Sequence, residues 1–300
     1  MHKFNKLIKL FDIKSLTILS VILAIIFKNI GFNQKCFEII MNKIPVSITS
    51  NNHNRNEEIL FIGGTRYSGE RLIKEILNIH SNIYCQGEKT SISKILMNSL
   101  SWQTGREAAR LEHAGISRKI IDSSISSFIL DILSESGQNG KGLCSKDLSI
   151  FNYINKTIEL FPNSKYLLMI RDPKSSIYEQ VKRGNRSENV PLVLKFRSWI
   201  PLMDSYYQDC VRFSAINCLP VYYEKLVNNE REAELKRIFK FLNLPWHAEV
   251  MNYEKKIQNL NEIERPINEN LIKTWINELP KDSINQLENI SQFLKKIGYK

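Results

Sequence analysis

Residues 61–72 read FIGGTRYSGERL, which places an apolar strand, a glycine-rich turn and the start of a helix in immediate succession. That order suits an anion, because the first amides of a helix have no partner within it and point toward negative charge. The spacing of Gly64 and Gly69 fits a Walker loop, but Glu70 and Arg71 stand where that loop needs lysine and a hydroxyl. Nucleotide hydrolysis of the Walker type is therefore excluded, while the geometry for holding a phosphate or similar anion is kept. Cysteines are the second chemical signal. Cys85, Cys144, Cys210 and Cys218 lie in the body of the chain and Cys36 lies nearer the N-terminus, a set that reads either as buried thiols or as disulfides of an oxidising compartment.

The elements that must position these residues follow from hydrophobic periodicity. EEILFIGG predicts a buried strand, and residues 70–79 predict a helix with Leu72, Ile73, Ile76 and Leu77 on its apolar face. NIYC predicts a short strand. Helices are expected around residues 91–100 and 117–134, the latter with Ile120, Ile121, Ile125, Phe128, Ile129 and Ile132 on a broad apolar face. GKGLCSKD returns to extended chain, NYINKTIELF predicts a helix, and KYLLMIRD and NCLPVYYEKL predict two more strands, followed by a helix over residues 230–242. Continuously apolar strands alternating with helices predict an α/β fold, a parallel sheet flanked by helices, with function at the carboxyl ends of its strands.

The chain has 300 residues, enough for one main domain with an appendage, and a formal net charge of +11 that favours acidic partners. No surface that interleaves basic and aromatic residues for nucleic-acid reading is evident. Lys3, Lys6, Lys9 and Lys14 precede the uncharged run SLTILSVILAIIF, residues 15–27. Flanking charge and the lack of a small-residue cleavage site after the run predict an uncleaved signal anchor, with the N-terminus cytosolic and the body lumenal. A buried amphipathic helix outside any membrane is the alternative. Residues 1–14 are then a cytosolic tail, 15–27 the anchor, and 28–57 an asparagine-rich lumenal stem, with the folded domain over 58–300. Sequons at Asn155, Asn185 and Asn289 agree with a lumenal body.

The order FIGG, CQGEKT, TGREAARLEHAGIS, LCSKD, LFPNSKYLLMIRD, CLPVYYEKL and WINELPKD resembles that of the tyrosylprotein sulfotransferases over residues 59–299. The resemblance implies a P-loop-like sulfotransferase fold in a type II Golgi membrane protein, a homodimer. Its members transfer sulfuryl from 3'-phosphoadenosine 5'-phosphosulfate to tyrosines in acidic segments of secreted or membrane proteins. A phenol with a pKa near 10 needs a positioned base at neutral pH, and Glu88 falls on the family's base. Charge developing in the transition state needs a cation, and Lys146 falls on the family's catalytic lysine. Ser68 and Gly69 match the phosphosulfate loop, Arg171 the arginine on the 3'-phosphate, Arg183 a second basic contact and Tyr223 the tyrosine at the nucleotide. The cysteines then pair as Cys85 with Cys144 and Cys210 with Cys218, leaving Cys36 in the stem and no cluster for a metal.

Several positions depart from the family pattern. Arg66 stands on the loop's proline, Tyr67 on its arginine, and Glu70 and Arg71 on its two threonines. Glu179 replaces a serine on the 3'-phosphate, and Arg265 is the candidate for a lysine in a shortened segment that closes over the nucleotide. Two arginines that hold the acidic peptide become Thr90 and Lys94. Arg66 and Arg71 are long enough to stand in for the lost loop arginine. Two alternatives follow: a sulfotransferase-fold binding protein impaired in catalysis, and a sulfotransferase with a carbohydrate or small-phenol acceptor.

Overall fold

In the computed structural model the described residues are 57–86, 92–135, 141–183, 191–213, 217–256 and 292–299. Two fully buried strands lie at its centre, β1 (Ile59–Gly64) and β4 (Lys165–Ile170). With β2 (Ile83–Gln86), β3 (Gly142–Lys146) and β5 (Cys218–Tyr222) they form a parallel sheet in the order β2-β3-β1-β4-β5. Side chains alternate across a strand, so β1 and β4 each feed two layers of core. Ile59, Phe61, Tyr166, Leu168 and Ile170 face one side. Leu60, Ile62, Leu167 and Met169 face the other. Burial of each such side chain contributes roughly 1.5–3 kcal/mol, and because both faces are covered the strands are apolar throughout.

Helices α1 (Glu70–Ile79), α8 (Tyr223–Val227) and α9 (Arg231–Phe241) cover the second layer. The first is covered by α2 (Ile92–Trp102), α4 (Arg118–Glu135), α5 (Ile154–Leu160), α7 (Leu192–Arg212) and α11 (Gln292–Lys296). The remaining helices are α3 (Gly105–His113), α6 (Pro173–Arg183) and α10 (Tyr253–Lys256), with short 3-10 turns at Ile150–Tyr153 and Ala248–Asn252. No helix among the described residues is long and apolar enough to cross a membrane. The expected tail, anchor and most of the stem, together with Cys36, Asn185 and Asn289, lie outside the described residues.

Three expectations are corrected. NCLPVYYEKL is not one strand: β5 ends at Tyr222 and Tyr223 opens α8, so the chain turns at the sheet's carboxyl edge. The helix expected over NYINKTIELF begins as a 3-10 turn and becomes α-helical only from Ile154. Helices α3, α6 and α7 were not anticipated, and α7 even contains Pro201. Both cysteine pairs are bonded, Cys85 to Cys144 between β2 and β3, and Cys210 to Cys218 between the end of α7 and the start of β5.

Candidate active site

The chain leaves β1 for β2, returns to β3 on one side of β1, and then crosses to β4 on the other. This reversal opens a crevice at the carboxyl end of β1, where α/β folds bind ligands. The loop from Thr65 to Gly69 fills it. Glycine is needed throughout this turn for lack of room. A Cβ on Gly63 would lie 2.7 Å from Ile150, and one on Gly64 would lie 2.6 Å from the Met169 carbonyl. A Cβ on Gly69 would strike the Tyr223 ring, and Gly69 also has a φ of 96°, in the left-handed region. Tyr67, with a φ of 64°, holds a similar conformation without that freedom. Such strain persists only where the surroundings enforce it.

Those surroundings hold the loop by its carbonyls. Arg171 Nη1 donates to Tyr67 O at 3.0 Å, Ser176 Oγ donates to Arg66 O at 2.8 Å, and Ser68 N donates to Thr65 O at 3.3 Å. Trp199 Nε1 adds a bond to Thr65 Oγ1 at 2.9 Å. With the Arg66 and Tyr67 carbonyls held by Ser176 of α6 and by Arg171 after β4, the start of α1 presents its amide end, and Gly69 at its N-cap supplies no capping side chain. An anion fits this arrangement.

The expected site residues gather around the loop to different degrees. Lys146 ends β3, is 3% exposed, and pairs in register with Ile62 of β1, two residues before Gly64. Arg171 directly follows β4, is buried, and lies with its guanidinium carbon 4.3 Å from the centre of the Tyr223 ring. Ser68 is fully buried, and its hydroxyl donates to Glu70 Oε2 at 3.4 Å. Glu70 is therefore turned inward at the helix start, and Glu179 on α6 is 2% exposed. Arg66 is exposed and Arg71 half-buried. Lys94 lies exposed in the first turn of α2. Arg183 is the last residue of α6. Glu88, Thr90 and Arg265 lie outside the described residues.

Sequence reasoning missed the residues that support this site. Asp147 follows Lys146 and accepts hydrogen bonds from Ser149 N at 3.1 Å and Ser93 N at 2.7 Å, tying the end of β3 to the start of α2. With the Cys85–Cys144 bond, this fixes both flanks of the segment 87–91 to β3. Asp172 and Glu224 are half-buried neighbours, Asp172 N donating to Glu224 Oε1 at 2.8 Å, and desolvation raises the pKa of each carboxyl above its ordinary value. The pair DP in DPKSS marks a helix start after β4, and that signal could have located Ser176. Trp199 had no comparable signal, being 134 residues from Thr65.

A buried lysine, an amide-lined turn and an arginine stacked on a tyrosine come together at the carboxyl edge of a parallel sheet, a chemistry that suits an anion. Residues 60–248 match the sulfotransferase family, so the chain is a sulfotransferase by family. The fold agrees with that of the sulfotransferase domain of the curacin biosynthetic pathway, at a TM-score of 0.55 and 18% identity, covering 82% of this chain and 99% of that one. Within the class, the chain is 30% identical to protein-tyrosine sulfotransferase 2 of Gallus gallus over 86% of this chain and 75% of that one. It is 32% identical to protein-tyrosine sulfotransferase A of Caenorhabditis elegans, over 82% and 68% respectively. The chain belongs to the protein-tyrosine sulfotransferase family. Among the described residues no group of three or more His, Cys, Asp and Glu side chains is placed to hold a metal ion.

Proposed function

We propose that this chain transfers a sulfuryl group from 3'-phosphoadenosine 5'-phosphosulfate to tyrosine in acidic segments of secreted or membrane proteins. The donor supplies an activated sulfuryl group whose leaving group is a phosphate. The loop from Ser68 to Arg71 holds the 5' side through the amides of Gly69, Glu70 and Arg71, Arg171, Arg183, Arg265 and Tyr223 hold the nucleotide side, and Lys146 stabilises charge at the sulfuryl oxygens. Glu88 takes the phenolic proton. Thr90 and Lys94 contact the acidic peptide, and the net charge of +11 favours such a partner. Residues 1–14, 15–27, 28–57 and 58–300 form the cytosolic tail, signal anchor, stem and lumenal domain of a homodimeric type II Golgi protein.

The observation that carries this reading is Lys146, a lysine buried to 3% at the end of β3 beside the anion-binding turn. Lysine is almost never fully buried unless paired, and a bound donor would bring an anionic partner to this one. The test is incubation of the full chain with labelled donor and an acidic tyrosine peptide. Label on the peptide, lost in Glu88→Ala and Lys146→Ala, is the expected result. The inward carboxylates of Glu70 and Glu179 favour a second reading, a binding protein that no longer transfers sulfate. Binding of 3'-phosphoadenosine 5'-phosphate without any label transfer would select it.

A further inference from the structure

Tyr299 Oη donates to Glu224 Oε2 at 2.6 Å. The second oxygen of that carboxylate, Oε1, accepts Asp172 N–H at 2.8 Å. One half-buried carboxylate thus joins the segment after β4, the start of α8 and the segment after α11. Each joined residue of the first two neighbours a residue of the proposed nucleotide site. Asp172 follows Arg171, and Glu224 follows Tyr223. Arg171 in turn lies against the Tyr223 ring at 4.3 Å and holds the loop carbonyl of Tyr67 at 3.0 Å.

Tyr299 is aimed there by the way α11 ends. Gly298 takes a φ of 90°, Gly298 N donates to Lys295 O at 3.2 Å and Tyr299 N donates to Leu294 O at 2.8 Å, the paired bonds of a Schellman turn. Phe293, Leu294 and Ile297 are buried in the core and fix the turn. Glu224 faces Asp172 and Tyr299, Asp172 faces Arg171 and Lys174, and Tyr222 lies near Tyr299 with ring centres 6.2 Å apart. Burial and the charge of Glu224 raise the Tyr299 pKa well above 10, so the phenol stays a donor at neutral pH.

We infer that Tyr299 is a positioning residue for the nucleotide side of the donor site. By holding Glu224 it fixes the Asp172 backbone, and with it the Arg171 guanidinium between Tyr67 and Tyr223. The inference rests on the proposed donor. Without the phenol, Glu224 Oε2 has lost its donor, and the carboxyl group turns to recover one.

The test is titration of 3'-phosphoadenosine 5'-phosphate into the full chain as wild type, Tyr299→Phe, Glu224→Gln and the double variant, with thermal unfolding in parallel. Tyr299→Phe is expected to weaken binding roughly tenfold, the size of one lost bond to a charged group. Donor KM should rise by the same factor, with kcat on an acidic tyrosine peptide changing far less. The two single losses should not add in the double variant, because both remove the same link. Wild-type affinity in folded Tyr299→Phe, or additive losses, would overturn the inference and leave the donor reading standing. If Tyr299→Phe fails to fold, Glu224→Gln alone decides by the same KM and kcat comparison. A wild-type chain that does not bind the bisphosphate overturns both.

Discussion

Arg171 Nη1 and the carbonyl oxygen of Tyr67 meet at 3.0 Å, joining the end of β4 to the middle of the loop after β1 across 104 residues of sequence. The same guanidinium is stacked on Tyr223, so one planar group fixes a loop carbonyl and an aromatic face together. Lysine keeps the charge but loses both the planar fork and the stack. Arg171→Lys should therefore weaken binding of 3'-phosphoadenosine 5'-phosphate by about tenfold or more while leaving the protein folded. Titration calorimetry checks this, and unchanged affinity would show that the charge alone suffices.

Tyr67, which the family resemblance aligns with a loop arginine, is in a left-handed conformation, with Arg66 exposed and Arg71 half-buried nearby. Arg71 lies in the first turn of α1, whose amides are proposed to hold the donor, and we propose it as the substitute for that arginine. We expect Arg71→Ala to reduce transfer rate by roughly a hundredfold, the usual loss for one charged stabiliser, and Arg66→Ala to reduce it much less. In an Arg71→Ala background, Tyr67→Arg should restore part of the lost rate. Equal, small effects of both alanine variants would mean that neither arginine reaches the reacting group.

The alternation of apolar strands and helices was enough to anticipate the parallel sheet, because β1 and β4 are buried on both faces and their sequence shows it. The loop was legible for a related reason: the glycines that let backbone approach Ile150, Met169 and Tyr223 are visible as residue types. Helices α6 and α7 were not anticipated. The start of the first was marked by Asp172–Pro173 but went unused, whereas the second carries Pro201 inside an aromatic-rich stretch with no clear polar face. Asp147, Trp199 and Tyr299 escaped for another reason. Each acts through a partner between 54 and 134 residues away, and only the fold reveals such pairs.

The two disulfides differ in the length of chain they close, 59 residues for Cys85–Cys144 and 8 for Cys210–Cys218. Loop-closure entropy assigns about 4 kcal/mol to the first and about 2.5 kcal/mol to the second. The first also adjoins Ser145 and Lys146 on β3, whereas the second joins α7 to the amino end of β5, away from the carboxyl edge. Replacing Cys85 and Cys144 by serine should lower both unfolding free energy and activity. Replacing Cys210 and Cys218 should lower stability with activity retained in the folded fraction. Denaturant unfolding paired with transfer assays separates the two outcomes.

His80 closes α1 and is fully buried, stacked on His247 with ring centres 4.4 Å apart. Its Nδ1 accepts Asn82 N–H at 3.1 Å, which leaves Nε2 to donate to Pro245 O at 3.0 Å, so the neutral ring satisfies both partners. Burial first, and the neighbouring His247 and Lys141 next, lower its pKa below the ordinary 6.5, against the raising effect of the Pro245 bond. The unfolded chain therefore takes up this proton at a higher pH than the folded one. The stability tied to His80 is complete above about pH 6.5 and is lost as pH falls toward the folded pKa. Asp172 and Glu224, with raised pKa values, act in the opposite direction. A comparison with His80→Gln isolates the histidine. Wild type should lose more stability than His80→Gln between about pH 7.5 and about pH 5.5, although the variant is less stable at the upper end. Parallel slopes in melting curves across that interval would show that His80 is protonated equally in both states, and that its bond to Asn82 does not hold in solution.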